Sequence, residues 1–286
     1  MKIVTDCAAE LSSQEAQELN VQVAPLYIHF PEGEVSSDSL TPDEFYRRLA
    51  AMAPHVPTTA QPSSDTFARL YQALNQAGED ILSIHISSGL SGTIDSARLG
   101  ASAIPGSPVE IFDTMTLSGG QRFHVLAAAA AARAGWTRDA ILQRLEQIRA
   151  STEVAFTLDT LSYLRRGGRI GRVQALAGTL LHVKPLIRVD HADGKYSTLG
   201  KTRTIAQSLS AITDYLAKEY QQTAVWISIM HGQFQEQADT LSAMIRERLN
   251  VSHLEILRIS PVLGVHTGPG VVGAAAVPYT LMQDFV

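Results

Sequence analysis

The chain has 286 residues, 45% apolar and 18% charged, enough to bury a large core without covalent or metal staples. Its 23 Lys and Arg against 28 Asp and Glu leave a net charge of −5, which argues against a general nucleic-acid binder, since such proteins carry a basic excess. A single cysteine, Cys7, excludes an intrachain disulfide and a cysteine-based zinc knuckle.

The first six residues, Met1-Lys2-Ile3-Val4-Thr5-Asp6, turn acidic before any signal-peptide-like apolar run. The most apolar stretch, residues 124–132, is mostly alanine and stops at Arg133, well short of a membrane span. The expectation is a soluble, cytoplasmic protein of one large or two modest domains.

In chain order, strands are predicted at 2–5, 21–30, 81–86 and 109–112. Between them a helix is predicted over 41–51, opened by Thr41 as cap and Pro42 at the first helical position. A turn around Phe30-Pro31-Glu32-Gly33-Glu34 leads into it. Another helix over 64–75 places Phe67, Leu70, Tyr71 and Leu74 on one face. Residues 93–103 form a third. Strands alternating with helices imply parallel pairing and an α/β layer fold.

Two long helices follow, over 119–134 and 138–150, and then the texture changes. A strand at 154–158 leads to a basic, flexible loop, Arg165-Arg166-Gly167-Gly168-Arg169. Residues 183–189 and 195–198 read as a hairpin around Ala192-Asp193-Gly194. Two helix–strand units come next: 204–220 with 224–230, and 233–249 with 253–259. This pattern gives an α+β second domain that starts near residue 155. No internal repeat is visible.

Two nucleotide motifs fail on context. Gly268-Pro269-Gly270-Val271-Val272-Gly273 has the letters of a dinucleotide fingerprint, but only 13 residues follow it, too few for the helix, strand and acidic residue the unit needs. Gly200-Lys201-Thr202 resembles the end of a P-loop, yet Lys195 stands where the first glycine is required.

Three polar segments are candidate ligand loops. Ser87-Ser88-Gly89-Leu90-Ser91-Gly92-Thr93 brings hydroxyls and amides to a helix start behind a strand, a geometry that binds anions. The same segment is a near miss to Gly-x-Ser-x-Gly, and His266 could serve Ser91 as a base; an α/β serine hydrolase is therefore the enzyme alternative. Thr58-Thr59-Ala60-Gln61-Pro62-Ser63 is a second polar loop before a helix. The third, Ser260 through Gly270, is expected to be a tight turn that presents His266.

Taken together, these segments resemble the DegV family. The matching stretches are Ile3-Val4-Thr5-Asp6, Thr59-Ala60-Gln61-Pro62-Ser63, Ser87 through Thr93, Thr160-Leu161-Ser162-Tyr163-Leu164 with Gly167-Gly168-Arg169-Ile170-Gly171, Lys184-Pro185, and Pro261 through Gly270. They occur in family order and span nearly the whole chain.

The resemblance implies a two-domain α/β protein. A parallel-sheet α/β/α domain would cover 1–154, and a two-layer domain with a mixed sheet 155–286, with a ligand tunnel between them. It further implies a lipid-binding subunit with no catalysis of its own and no cofactor or metal. One long-chain fatty acid would be its ligand, with transient membrane-surface contact and a place in phospholipid metabolism. A separate ATP-dependent kinase subunit, related to dihydroxyacetone kinases, would convert the bound carboxylate to an acyl phosphate.

Carried over by motif, the carboxylate contacts fall on Thr59, Ser91 and His266, with Ser88 and Gly92 as further candidates. Arg169 is the candidate for assisting phosphotransfer. Cys7 and Ala60 stand where family members usually carry serine, and Glu10 where they carry aspartate. Without a hydroxyl at residue 60, one donor near the head group is gone. Cys7 is read as a small buried filler.

Overall fold

The computed structural model describes residues 1–75, 78–104, 106, 109–179 and 183–283. The first part runs β1 (Lys2–Asp6), α1 (Ser13–Glu18), β2 (Val21–Ala24), β3 (Tyr27–Phe30), β4 (Gly33–Ser36), α2 (Pro42–Ala51), β5 (Thr58–Ala60), α3 (Ser64–Leu74), β6 (Ile81–His85), α4 (Thr93–Ser102), β7 (Val109–Asp113), α5 (Gly119–Arg133) and α6 (Arg138–Ser151). The second runs β8 (Glu153–Leu158), α7 (Ser162–Arg166), β9 (Lys184–Val189), β10 (Tyr196–Thr202), α8 (Ile205–Tyr220), β11 (Val225–His231), α9 (Gln235–Arg248), β12 (Val251–Arg258), α10 (Pro261–Thr267) and β13 (Val271–Pro278).

Strands β2-β1-β6-β7 form a four-stranded sheet in which every pair is parallel, as strand–helix alternation requires. The six-stranded sheet, ordered β10-β9-β8-β13-β11-β12, is mixed: β11 and β12 run parallel and the other pairs antiparallel. Short β4-β3-β5 make a third, antiparallel sheet.

Helix starts follow the local chemistry. The Thr41 side chain accepts from Glu44 N ahead of Pro42, and Ser63 accepts from Thr66 N ahead of α3. Helix α5 is buried along most of its length, and its alanines explain how. Small side chains let it pack with Leu82 and Ile84 of the parallel sheet and with Val154, Phe156 and Met230 of the mixed sheet in one continuous core. Strand β13 alternates between two cores: Val271, Ala275 and Val277 join that cluster, while Val272, Ala274 and Ala276 meet α8 and α9.

Several expectations change. The single strand expected over 21–30 is two strands in different sheets, separated at Pro25, which has no amide hydrogen for a ladder. The turn at 30–34 is the bend of the β3–β4 hairpin. The basic loop is helical through Arg166, so only the residues that follow are free of the helix. The tight turn expected at 260–270 is α10, with Pro261 in its first turn, and His266 stands in its last turn. Helix α1 and strands β4, β5 and β13 lie outside the expected elements. The last three positions of the expected second domain, 284–286, lie outside the described residues.

Candidate functional site

Four segments far apart in sequence meet at one small cavity. Thr59 comes from β5, Ser91 from the turn between β6 and α4, Arg169 from the loop after α7, and His266 from α10. All four line a cavity of about 30 Å³, along with apolar side chains that include Leu26, Ile86 and Val262. Helix α10 is held there by Val265, which packs with Ile28, Phe45 and Tyr46 in the core beneath the three-stranded sheet.

The polar contacts are specific. Thr59 Oγ1 and His266 Nε2 are 2.8 Å apart. Ser91 Oγ lies 2.8 Å from Thr93 Oγ1 and accepts from Thr93 N at 3.3 Å, a local turn that opens α4. Arg169 donates from Nη1 to Gly167 O at 2.7 Å and from Nε to Leu90 O at 3.4 Å, so the guanidinium is tied between the two loops.

Burial first, and then the Arg169 charge, push the His266 pKa down to about 4. The imidazole is therefore neutral at neutral pH. Its Nδ1 is buried with no hydrogen-bond partner among the described residues. The arrangement offers a hydroxyl polarised by a neutral ring, a second hydroxyl and one fixed cation, a set suited to a buried anion.

Directly behind lies a second cavity of about 30 Å³, whose walls include Val154, Phe156, Met230 and Val271. The two cavities share Leu117, Tyr196 and Leu263. The cavity that carries the polar groups and the apolar one are thus separated by a common wall. A larger cavity, about 650 Å³, sits between α1, α2 and the end of β12 and shares no lining residue with these two. Cys7 borders it, and burial followed by the Asp6 charge pushes that thiol up to about 12, which makes it unreactive.

Ser88 and Gly92 stand in the Ser91 turn but line neither small cavity. Ser88 is exposed, and its amide donates to the Asp113 carboxylate at 3.3 and 3.4 Å. Gly92 caps α4. Of the neighbouring arginines, Arg166 donates to Pro54 O and Arg172 pairs with Asp193 at 2.9 Å, both at the surface.

The hydrolase alternative is not supported. The Ser91 hydroxyl faces Thr93, His266 faces Thr59, and among the described residues no acid orients the remaining ring nitrogen. A triad-like chain that sequence reasoning missed does exist: Asp6 Oδ2 to His85 Nδ1 at 2.9 Å, His85 Nε2 to Ser83 Oγ at 2.7 Å, and Ser83 Oγ to Tyr71 OH at 2.8 Å. These four residues are fully buried, so no substrate reaches them, and the chain ties β1 to β6. The available signal was two polar residues, Ser83 and His85, inside an apolar strand.

Among the described residues no group of three or more His, Cys, Asp or Glu is arranged to hold a metal, and no helix is long and apolar enough to cross a membrane.

A family model described as "Uncharacterised protein, DegV family" matches residues 1–279. A DegV domain-containing protein of Deinococcus radiodurans is 36% identical over 260 residues, 91% of this chain and 90% of that one. A second, from Streptomyces coelicolor, is 35% identical over 279 residues, covering 95% and 96%. A fatty-acid-binding DegV family protein from Thermus thermophilus superposes with a TM-score of 0.90 at 31% identity, covering 97% of this chain and 99% of that one. DegV of Bacillus subtilis, described as a fatty acid binding protein, superposes with a TM-score of 0.87 at 26% identity, covering 97% and 98%.

Proposed function

The chain belongs to the DegV family, and from that premise we propose that it binds one long-chain fatty acid and presents the carboxylate to a separate kinase. The observation that carries this reading is the pairing of Thr59 with His266, 207 positions apart, at a small cavity that shares three wall residues with an apolar one. The fatty-acid-binding relatives support the ligand class.

In this reading the tunnel runs between an N-terminal unit, 1–154, and a C-terminal unit, 155–286. Thr59, Ser91 and His266 hold the carboxylate, and the Ser88 and Gly92 turn fixes the backbone behind Ser91. Each cavity has about the volume of one liquid water, so an acyl chain enters as Leu117, Tyr196 and Leu263 move apart. Burying about 14 methylenes of a sixteen-carbon chain at roughly 0.8 kcal/mol each gives a gross gain on the order of 11 kcal/mol, reduced by the freedom lost on binding. Chain burial supplies affinity, and the donors set the orientation.

Neutral donors suit both a carboxylate and the acyl phosphate made from it. The cation at the mouth has another task. Phosphoryl transfer spreads negative charge over equatorial oxygens, which a planar, permanently charged guanidinium can clamp. Arg169 meets that need and the dihydroxyacetone-kinase-like partner supplies ATP. Transient contact with a membrane surface would let the acyl chain load and leave.

The test is direct. Purified protein is denatured, extracted with organic solvent and the extract identified by mass spectrometry. Fatty acid at a sizeable fraction of one per chain is expected, and protein that neither retains nor takes up fatty acid would overturn the reading.

A further inference from the structure

Buried tyrosines in this molecule find partners for their hydroxyls, with one exception. Tyr71 OH meets Ser83 Oγ at 2.8 Å, Tyr220 OH donates toward Ser151 O and Ala276 O, and Tyr46 OH reaches Gly268 O at 3.5 Å. Tyr196 is only 5% exposed, yet its hydroxyl makes no hydrogen bond to any described residue. Phenylalanine would fill the same wall, so packing alone does not call for the hydroxyl.

The position explains the exception. Tyr196 is the first residue of β10, opposite Val189, and its ring stands edge-on to Phe156 at 5.3 Å between centroids and 69° between planes. That contact fixes the ring against the apolar cavity. The side chain also lines the polar cavity with Thr59, Ser91 and His266, and the Arg169 charge acts on its phenol. Tyr196 therefore stands in the wall that the two cavities share.

We infer that the Tyr196 hydroxyl is a further donor to the carboxylate of the bound fatty acid, an inference that rests on the fatty-acid reading. Burial pushes the phenol pKa up and Arg169 opposes it, leaving the hydroxyl protonated and able to donate. Ser91 and Thr59 then hold the carboxylate from one side and Tyr196 from the chain side, which fixes its tilt toward Arg169. Tyr196 is a positioning residue for the acyl group.

The experiment compares wild type with Tyr196→Phe, using palmitate labelled with carbon-13 at the carboxyl. The phenyl ring keeps its packing on Phe156, so an unchanged circular dichroism spectrum and thermal midpoint are expected. Palmitate affinity should fall about tenfold, the low end for a hydrogen bond to a charged group, and the bound carboxyl resonance should move. Unchanged affinity and resonance in the variant would overturn the inference. So would weaker binding with an unmoved resonance, which would assign Tyr196 to the chain wall alone. Wild type that yields no bound palmitate resonance would overturn the fatty-acid reading itself, and this inference with it.

Discussion

Gly167 and His266 are in contact so close that a β-carbon at 167 would stand 2.1 Å from His266 Nδ1. The glycine is not needed for its backbone, because φ at Gly167 is −76°, open to any residue. It is needed for space. Gly167→Ala should therefore displace the imidazole from Thr59. The expected cost is about 1–3 kcal/mol of stability, the range for overpacking, read as a lower thermal midpoint together with weaker fatty acid binding.

Thr59, Ser91 and His266 should behave as one network. Loss of a single donor to a buried carboxylate costs about 1.5–3 kcal/mol, so each alanine variant should bind fatty acid about 10- to 150-fold more weakly. Thr59→Ser keeps the hydroxyl opposite His266 and should retain most of the affinity. Titration with a fluorescent fatty acid measures all four. Wild-type affinity in every alanine variant would remove these residues from the head-group site.

Arg169 should separate binding from phosphorylation. Arg169→Ala is expected to keep most fatty acid affinity and to lose acyl phosphate formation when mixed with a cognate kinase and ATP. The same change removes the positive charge beside His266 and should raise the pKa of that ring, which a proton NMR titration of the imidazole would show.

Glu10 should make stability fall as pH rises from about 4.5 to about 8. Burial pushes its carboxyl up to about 8, against the favourable bonds from Ser118 Oγ at 2.9 Å and Ser260 N at 2.6 Å. The folded chain thus holds a proton that the unfolded chain has released above the ordinary carboxylate range near 4.5. The stabilising contribution is complete below that value and is lost as pH rises through about 8. Glu10→Gln should flatten this part of the profile, measured as thermal midpoint against pH from 5 to 9.

Much of the architecture could be read from residue patterns, because capped helices with one apolar face repeat at the helical period. Thr41, Ser63 and Thr204 mark three such starts. Residues Val271 through Val277 gave no such signal: both faces of β13 are buried, so valine, glycine and alanine follow one another without alternation. Helix α10 was hidden because Pro261, Gly264 and Gly268 together look like a turn. At the candidate site, the polar segments that carry Thr59, Ser91 and His266 stand out in the sequence, and the fold brings them to one cavity. Gly167 and Tyr196 do not stand out. Their roles lie in contacts between segments, Gly167 with His266 and Tyr196 with Phe156, which no local spacing encodes.

The order of strands in the mixed sheet constrains how the protein can be made. Strand β13 lies between β8 and β11 and follows both of them in the chain. On a ribosome, β8 and β11 emerge with open hydrogen-bonding edges and stay so until residues 271–278 arrive. The parallel sheet, complete by residue 113, can form far earlier. Nascent chains therefore pass through a long interval with half the protein assembled and two apolar edges exposed, the stage at which chaperone capture or aggregation should concentrate.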